Sequence, residues 1–447
     1  MSVFNASVFA LQYGIPIYSF AQLAVPLVDT GSINVLVPQP TLATPDETQV
    51  NAPNVDTLYS SAVYDLSQND VRMTVPPVDE DRHNVTSGNT LYLTFGDEFA
   101  AIGSVNNSTA GDYLLRRSCG GEFGIEHSTG QDGYQGYVNS PTTQGSILIR
   151  ILVKNNGTDL EYVQDTLESC NATTVPRDET YGAPLSNATF AGILDSNNTT
   201  TATLELLARL NDQNPPFNIT DFDYVVGQLQ EAGIYGGRYH QPDGLNLTQV
   251  QLVVVEAIQN FGLNDLASLG NGWEHNVPSG LYGSDYVDRT FSAQSGYLEQ
   301  VADQSLYPGL ADDVMQVSDT EAYIYEFKSK PPVTASGFWS LTLYNSEKFL
   351  VANPEDKYSV GDRSNVTYPD GQPVYGSNSS NTTDGSFQVL VQSFAVPPPA
   401  NWSNNWLPAP SDNSNFSTTL RLYGPSEGLS NGDWVYPVVT KVAAIVA

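Results

Sequence analysis

Short runs of β-branched and aromatic residues, each closed off by Gly, Pro, Asn or Asp, set the limits on what this chain can fold into. They lie at 91–95, 146–153, 322–327, 338–344, 387–391 and 418–423. Runs of this length bounded by turn residues read as strands. Composition points the same way: only 15% of residues are charged and 28 are proline, which suits short strands joined by turns. The middle of the chain follows a different period. Asp159 precedes a helical face of Leu160, Val163 and Leu167; Leu204, Leu207 and Leu210 repeat that spacing, and 224–232 and 248–261 continue it. The expected fold is therefore mainly β with a helical insert, an α+β arrangement. Its parts are an N-terminal β domain over 1–190, a helical linker region over 191–268 and a C-terminal β domain over 269–447.

Charge removes several function classes. The net charge of −32 has the wrong sign for a nucleic-acid binder or for a polybasic contact with an anionic membrane. It suits solubility in an acidic or extracellular setting.

Sixteen Asn-X-Ser/Thr sequons occur without proline at X, where composition alone would give about a third of that number. Sequons act only in the secretory pathway, so the expectation is a secreted or vacuolar/vesicular glycoprotein. Acceptors are expected at Asn84, Asn107, Asn156, Asn171, Asn187, Asn198, Asn218, Asn246, Asn365 and Asn381. Residues 1–28 carry no Lys or Arg, and Gln12, Tyr13, Pro16 and Gln22 interrupt their apolar content. They do not read as a signal peptide, and the numbering is expected to begin after a removed leader. No stretch reads as a membrane span. The two cysteines, Cys119 and Cys170, are either unrelated buried thiols or, as the sequons favour, one disulfide. That bond would close a loop of about 50 residues, a stabilisation of roughly 4 kcal/mol in the loop-entropy description.

Common catalytic templates fail. The histidines His83, His127, His240 and His275 show no metal-binding spacing, so neither metal nor cofactor is expected. Gly424-Pro-Ser426-Glu-Gly428 and Gly428-Leu-Ser430-Asn-Gly432 match Gly-X-Ser-X-Gly, but Pro425 inside the motif and the Asn-Gly-Asp that follows read as a turn-rich loop. Asp97 and Glu98 are adjacent, and on a strand they would face opposite sides.

Two clusters mix polar and aromatic residues in an unusual order. The first is Asn51-Ala-Pro-Asn-Val-Asp-Thr-Leu-Tyr-Ser-Ser61. The second includes Gly337-Phe-Trp-Ser-Leu-Thr-Leu-Tyr344, Asn353-Pro354, Asn405-Trp-Leu-Pro-Ala-Pro410 and Leu420-Arg-Leu-Tyr423. With Tyr13-Gly-Ile-Pro16, Asn271-Gly-Trp273 and Tyr282-Gly-Ser-Asp-Tyr-Val-Asp-Arg289, they resemble the family of paired domains of unknown function 1254 and 1214. Lys357-Tyr-Ser359 departs from the Arg-Tyr-Ser expected there, which puts an arginine-dependent contact in doubt. The resemblance implies two β-sandwich or jelly-roll-like domains with helices between them, and no established general chemistry. Some fungal members are associated with natural-product pathways, and the chain is similar to secretory, glycosylated pericyclases of tropolone–sesquiterpene biosynthesis.

That similarity implies a cofactor-free hetero-Diels–Alder reaction joining an ortho-quinone methide to a terpene alkene. Such an enzyme holds two apolar small-molecule substrates in a near-attack pose, excludes water and places donors at the oxygen where charge develops. The expected catalytic residues are Asn54, Asp56, Tyr59 and Arg421, and the expected substrate walls are Phe338, Trp339, Tyr344 and Trp406. On a regular strand Trp339 and Tyr344 face opposite sides, so both reach one pocket only across a bulge. The competing reading is a secreted glycoprotein that binds carbohydrate or a lipophilic molecule without catalysis.

Overall fold

The computed structural model describes residues 2–47, 52–76, 88–106, 108–118, 122–128, 132–154, 157–376 and 384–446. The fold is mainly β with helices, as expected, at 33% strand and 25% helix. In the first unit two five-stranded sheets form a sandwich. One runs in the order Val37–Gln39, Thr57–Asp65, Gln144–Leu152, Gly88–Leu93, Glu98–Gly103. The other runs Asn171–Pro176, Asn69–Val75, Gly111–Arg117, Gly136–Ser140, Gly124–His127. Leu58, Ala62, Tyr64, Ile147, Ile149, Ile151, Val71 and Leu115 fill the space between them.

The second unit repeats the design with two four-stranded sheets. Val333–Asn345 lies between Phe416–Pro425 and Ser359–Gly361, with Ser305–Leu306 at the edge. Facing it is the order Trp406–Ala409, Asp384–Ser393, Glu321–Ser329, Val438–Ala443. Trp339, Leu341, Leu343, Leu420 and Leu422 pack against Tyr325, Phe327, Phe387 and Val389. Every strand expected from sequence lies within or against one of these strands.

The helices form a third core, and its composition differs from the linear domain division expected from sequence. Helix Val3–Asp29 leaves the first β unit and packs against Thr199–Leu210, Phe222–Glu231 and Leu247–Asn264. It is apolar on nearly all sides, so it has no single-face periodicity to reveal it. This helix is long and apolar enough to cross a membrane by length and composition alone, a test that the core helix of a soluble protein and a signal sequence also pass. Here it is the centre of a packed core, with Phe9, Ala10, Ile17, Phe20 and Ala21 buried.

Gly14 and Pro16, residues that disfavour a helix interior, fit this one for local reasons. A Cβ on Gly14 would meet Thr203 Cγ2 at 2.9 Å, so glycine lets the two helices approach. Pro16 cannot donate to the Gln12 carbonyl one turn back. The Thr290 hydroxyl donates to it instead at 2.9 Å, docking helix Tyr286–Ser295 at that point.

The Gly-X-Ser-X-Gly segment also differs from the loop expected. Strand Phe416–Pro425 turns at Gly424 (φ 58°) into a one-turn helix, Glu427–Ser430. Ser426 Oγ donates to the Pro332 carbonyl at 2.6 Å, which ties it to the neighbouring segment.

Candidate functional site

Strand parity builds the site. On Val333–Asn345, the residues Phe338, Ser340, Thr342 and Tyr344 share one face, and their partners across the ladder are Tyr423, Arg421, Thr419 and Ser417. The opposite face carries Trp339, Leu341 and Leu343 into the second core. On the first unit, Tyr59 pairs with Arg150 on the outward face of its sheet, beside Leu152. These two faces meet: Leu152, Phe338 and Tyr423 form a buried cluster with Tyr307 at its edge.

Residues Ala52–Asp56 lie across this junction as a strap. Ala52 N donates to the Lys348 carbonyl at 2.7 Å. Arg421 Nη2 donates to the Ala52 carbonyl at 2.8 Å, and the Tyr344 hydroxyl donates to the Pro53 carbonyl at 2.6 Å. Asn54 Nδ2 donates to the Tyr423 hydroxyl, while its Oδ1 accepts from Asp56 N at 2.6 Å. Asp56 Oδ1 pairs with Arg363 at 2.7 Å and accepts from Ser359 Oγ at 3.3 Å. Ala52 holds a left-handed backbone (φ 48°), a strain of about 1 kcal/mol that these bonds must offset.

Two polar atoms in this network are left over. Arg421 Nη1 and Asp56 Oδ2 are both buried and find no hydrogen-bond partner among the described residues. Both groups act electrostatically on Tyr344, so they belong to one locality. The Tyr423 hydroxyl accepts from Asn54 and, at 3.0 Å, from Tyr307, which leaves its own proton to donate. Burial pushes the Tyr344 phenol up to about 12 and the Tyr423 phenol well above its usual value, so both stay protonated. Arg150 stacks over the Tyr423 ring at 4.1 Å and donates to Gln300 Oε1 at 3.0 Å. Three arginines (150, 363 and 421) thus converge with two carboxylates, Asp56 and Asp362, on a junction walled by Phe338 and tyrosines.

Glu98 joins the two units next to this site. Its Oε2 accepts from Val301 N at 3.1 Å, and burial raises its carboxyl to about 8. Asp288 is also raised by burial, to about 7. The folded chain therefore holds protons that the unfolded chain releases above the ordinary carboxylate range. Stability is full below about pH 4.5 and falls as pH rises through 8, with an order of a few kcal/mol at stake for Glu98. Urea unfolding at pH 5 and pH 8 checks this: Glu98→Gln should flatten the decline, and an unchanged slope would exclude Glu98 as its source.

Of the residues expected from sequence, the structure brings together Asn54, Asp56, Tyr59, Arg421, Phe338 and Tyr344. It excludes Trp339 and Trp406. Trp339 sits in the second core with Nε1 donating to Tyr375, because strand parity turns it away and the ladder irregularity lies before Phe338, not after it. Trp406 is on the other sheet, packed with Leu390 and donating to the Gln392 carbonyl at 3.1 Å. Arg150, Arg363, Tyr307 and Tyr423 were missed as site residues. Arg150 did leave a signal, a lone cation within Ile-Leu-Ile-Arg-Ile-Leu-Val. Arg363 lies in a turn and left none.

Other motif residues have structural tasks. Lys357 Nζ donates to the Ser403 and Asn404 carbonyls, closing the end of the short helix Ala400–Asn405, so no arginine is needed there. Asn405 bonds both backbone groups of Thr367 and the Gln388 carbonyl. Asp97 and Glu98 have separate partners, Asp97 forming a buried pair with Arg289 at 2.6 Å. Asn171, Asn187, Asn198, Asn246 and Asn365 are exposed and Asn218 is half-buried. Cys170 is buried, with its thiol 3.5 Å from the Thr166 carbonyl. Cys119, Asn84, Asn107, Asn156 and Asn381 lie outside the described residues.

Comparison with known proteins identifies the family and not the chemistry. No curated protein matches the chain. Among solved structures it is similar to the VPA0106 protein from Vibrio parahaemolyticus, at 17% identity and a TM-score of 0.66, covering 99% of this chain and 100% of that one. A putative uncharacterized protein from Burkholderia cenocepacia matches at 11% identity and a TM-score of 0.45, over 97% of this chain and 88% of that one. Residues 33–173 match the family described as "Protein of unknown function (DUF1254)" and residues 304–427 match "Protein of unknown function (DUF1214)". The first match covers the strap and Arg150, the second covers Arg363, Arg421 and Tyr423, and the chain therefore belongs to the family that pairs these two domains.

Proposed function

We propose that this chain is a cofactor-free pericyclase of fungal natural-product biosynthesis. It joins an ortho-quinone methide, such as a tropolone-derived one, to a terpene alkene by an intermolecular hetero-Diels–Alder reaction. The observation that carries this reading is the pair of unsatisfied buried groups, Arg421 Nη1 and Asp56 Oδ2, within a junction walled by aromatic rings. A buried donor without a partner costs about 1–3 kcal/mol, and a ligand oxygen that accepts from it recovers that cost. In the cycloaddition, four π electrons of the C=C–C=O unit and two of the alkene form one C–C and one C–O bond, with no proton transferred. Negative charge builds on the carbonyl oxygen as it bonds, and Arg421 and the Tyr423 hydroxyl supply donors there. Asp56 Oδ2 accepts from a hydroxyl of the same substrate and fixes its orientation. Phe338, Tyr307 and Tyr344 exclude water from the quinone methide.

Incubation of the purified chain with a tropolone quinone-methide precursor and a humulene-type alcohol tests the reading. A product of single stereochemistry, formed faster than in buffer, is expected. A product ratio equal to the buffer control would overturn it. Ligand-induced thermal stabilisation without turnover would instead support the binding-protein alternative.

The secretory route belongs to the same proposal. Asn198 and Asn246 cap helices through Oδ1, accepting from Thr201 N and Gln249 N, and their Nδ2 atoms donate to none of the described residues. Asn218 Nδ2 donates to Ser284 Oγ at 2.9 Å. Since a glycan attaches at Nδ2, glycopeptide mass spectrometry of chain secreted from a eukaryotic host should find Asn246 occupied more fully than Asn218. Equal occupancy would show that the Ser284 contact does not restrain the acceptor.

A further inference from the structure

The motif residues Asp285 and Tyr286 lie away from the inter-sheet junction. They border an open groove of about 510 Å³ between helices Val3–Asp29, Phe222–Glu231 and Tyr286–Ser295. Phe9 stands nearly perpendicular to two rings of the groove wall, with its centroid 5.3 Å from that of Tyr224 at 75° and 5.1 Å from that of Tyr286 at 79°. Tyr13 backs the box, 5.5 Å from Tyr286. Asp221 and Asp285 line the same groove, and no Lys or Arg does. Asp221 Oδ2 accepts from the Tyr286 hydroxyl at 2.7 Å, which enriches the electron density of that ring. Arg289 lies 5.2 Å from the Tyr286 centroid, and its charge is matched by the two-point contact with Asp97. Gln12 completes the wall; it is only 9% exposed, and its side-chain amide has no hydrogen-bond partner among the described residues.

We infer that this groove is a second binding site, for the ammonium group of a small organic cation. Electron-rich ring faces attract a weakly hydrated cation, and most strongly one too large and apolar to be held by water. The carboxylates set the sign of the charge, and the Gln12 amide oxygen is placed for a hydroxyl or N–H on the same ligand. A bare metal ion is a poor match, because among the described residues no group of three or more His, Cys, Asp or Glu side chains is placed to hold one. The net charge of −32 raises the local concentration of any such cation. This site is independent of the junction and of the reaction proposed there.

The test is isothermal titration of the full chain with choline and with 3,3-dimethylbutanol, its neutral isostere, at low salt. Choline should bind at least about tenfold more tightly than the isostere, the step expected when a cation–π contact is lost. Tyr224→Ala and Asp221→Asn should each weaken choline by about fivefold or more, with the melting temperature unchanged because both positions lie at the groove surface. Co-sedimentation with phosphatidylcholine vesicles separates a lipid headgroup from a free ammonium compound, and binding in either form supports the site. Equal affinity for the neutral isostere, unchanged affinity in both variants, or no binding of choline or vesicles would overturn it.

Discussion

Arg363→Met is expected to destabilise the folded chain by about 3–5 kcal/mol, read as a lower midpoint in urea unfolding at neutral pH. The cost is not the loss of a surface ion pair, which is typically below about 1 kcal/mol. Arg363 is the cation shared by Asp56 at 2.7 Å and Asp362 at 2.8 Å, and it lies 4.7 Å over the Phe338 ring. Removing it leaves two carboxylates in a region shielded from water, one of them already short of a partner at Oδ2. Adding Asp56→Asn to the Met variant should restore part of the loss, since an amide carries no charge to strand. If the single variant lost less than about 1 kcal/mol, water would have to reach Asp56 and the junction could not be a dry site.

Arg421→Met should leave the fold standing while slowing product formation by about 10²–10³-fold, the range seen when one donor to a developing oxyanion is removed. Arg421 uses Nη2 to hold the Ala52 carbonyl and keeps Nη1 unpartnered, so its role divides between strap and substrate. Arg421→Lys separates the two. A single ammonium can keep the strap contact but cannot present the second donor, so the lysine variant should unfold like the parent and still be slow. A lysine variant with full rate and stereochemical control would remove Arg421 from the proposed chemistry. A methionine variant that fails to fold would leave the lysine comparison to decide.

Local chemistry determined a large part of this protein. Strand runs at 338–344 and 418–423 could be read because β-branched and aromatic residues between turn formers suit a pleated, half-buried surface. The two-residue repeat of a strand already placed Trp339 and Tyr344 on opposite faces, and the structure adds only which face is core. Helical segments around Leu204–Leu210 and 248–261 were readable from apolar spacing; the structure extends them to Thr199–Leu210 and Leu247–Asn264, with Asn198 and Asn246 capping their starts. Their caps also explain why some sequons stand where they do.

Helix Val3–Asp29 escaped that reading because apolar residues on all sides carry no 3.6-residue period. Its Gly14 and Pro16 make sense only against Thr203 and Thr290, far along the chain. The site is the extreme case. Asn54 meets Tyr423 across 369 residues and Asp56 meets Arg363 across more than 300. No local propensity encodes such a meeting. It follows from packing the outward face of one sandwich on the polar face of another, where a buried charge must find its counter-charge or destabilise the fold. The sequence alone singled out Asn54, Asp56, Tyr59 and Arg421 as candidate catalytic residues and Phe338 and Tyr344 as candidate walls. Only the tertiary structure brought these residues together, added Arg150 and Arg363, and left Arg421 Nη1 and Asp56 Oδ2 without a hydrogen-bond partner among the described residues.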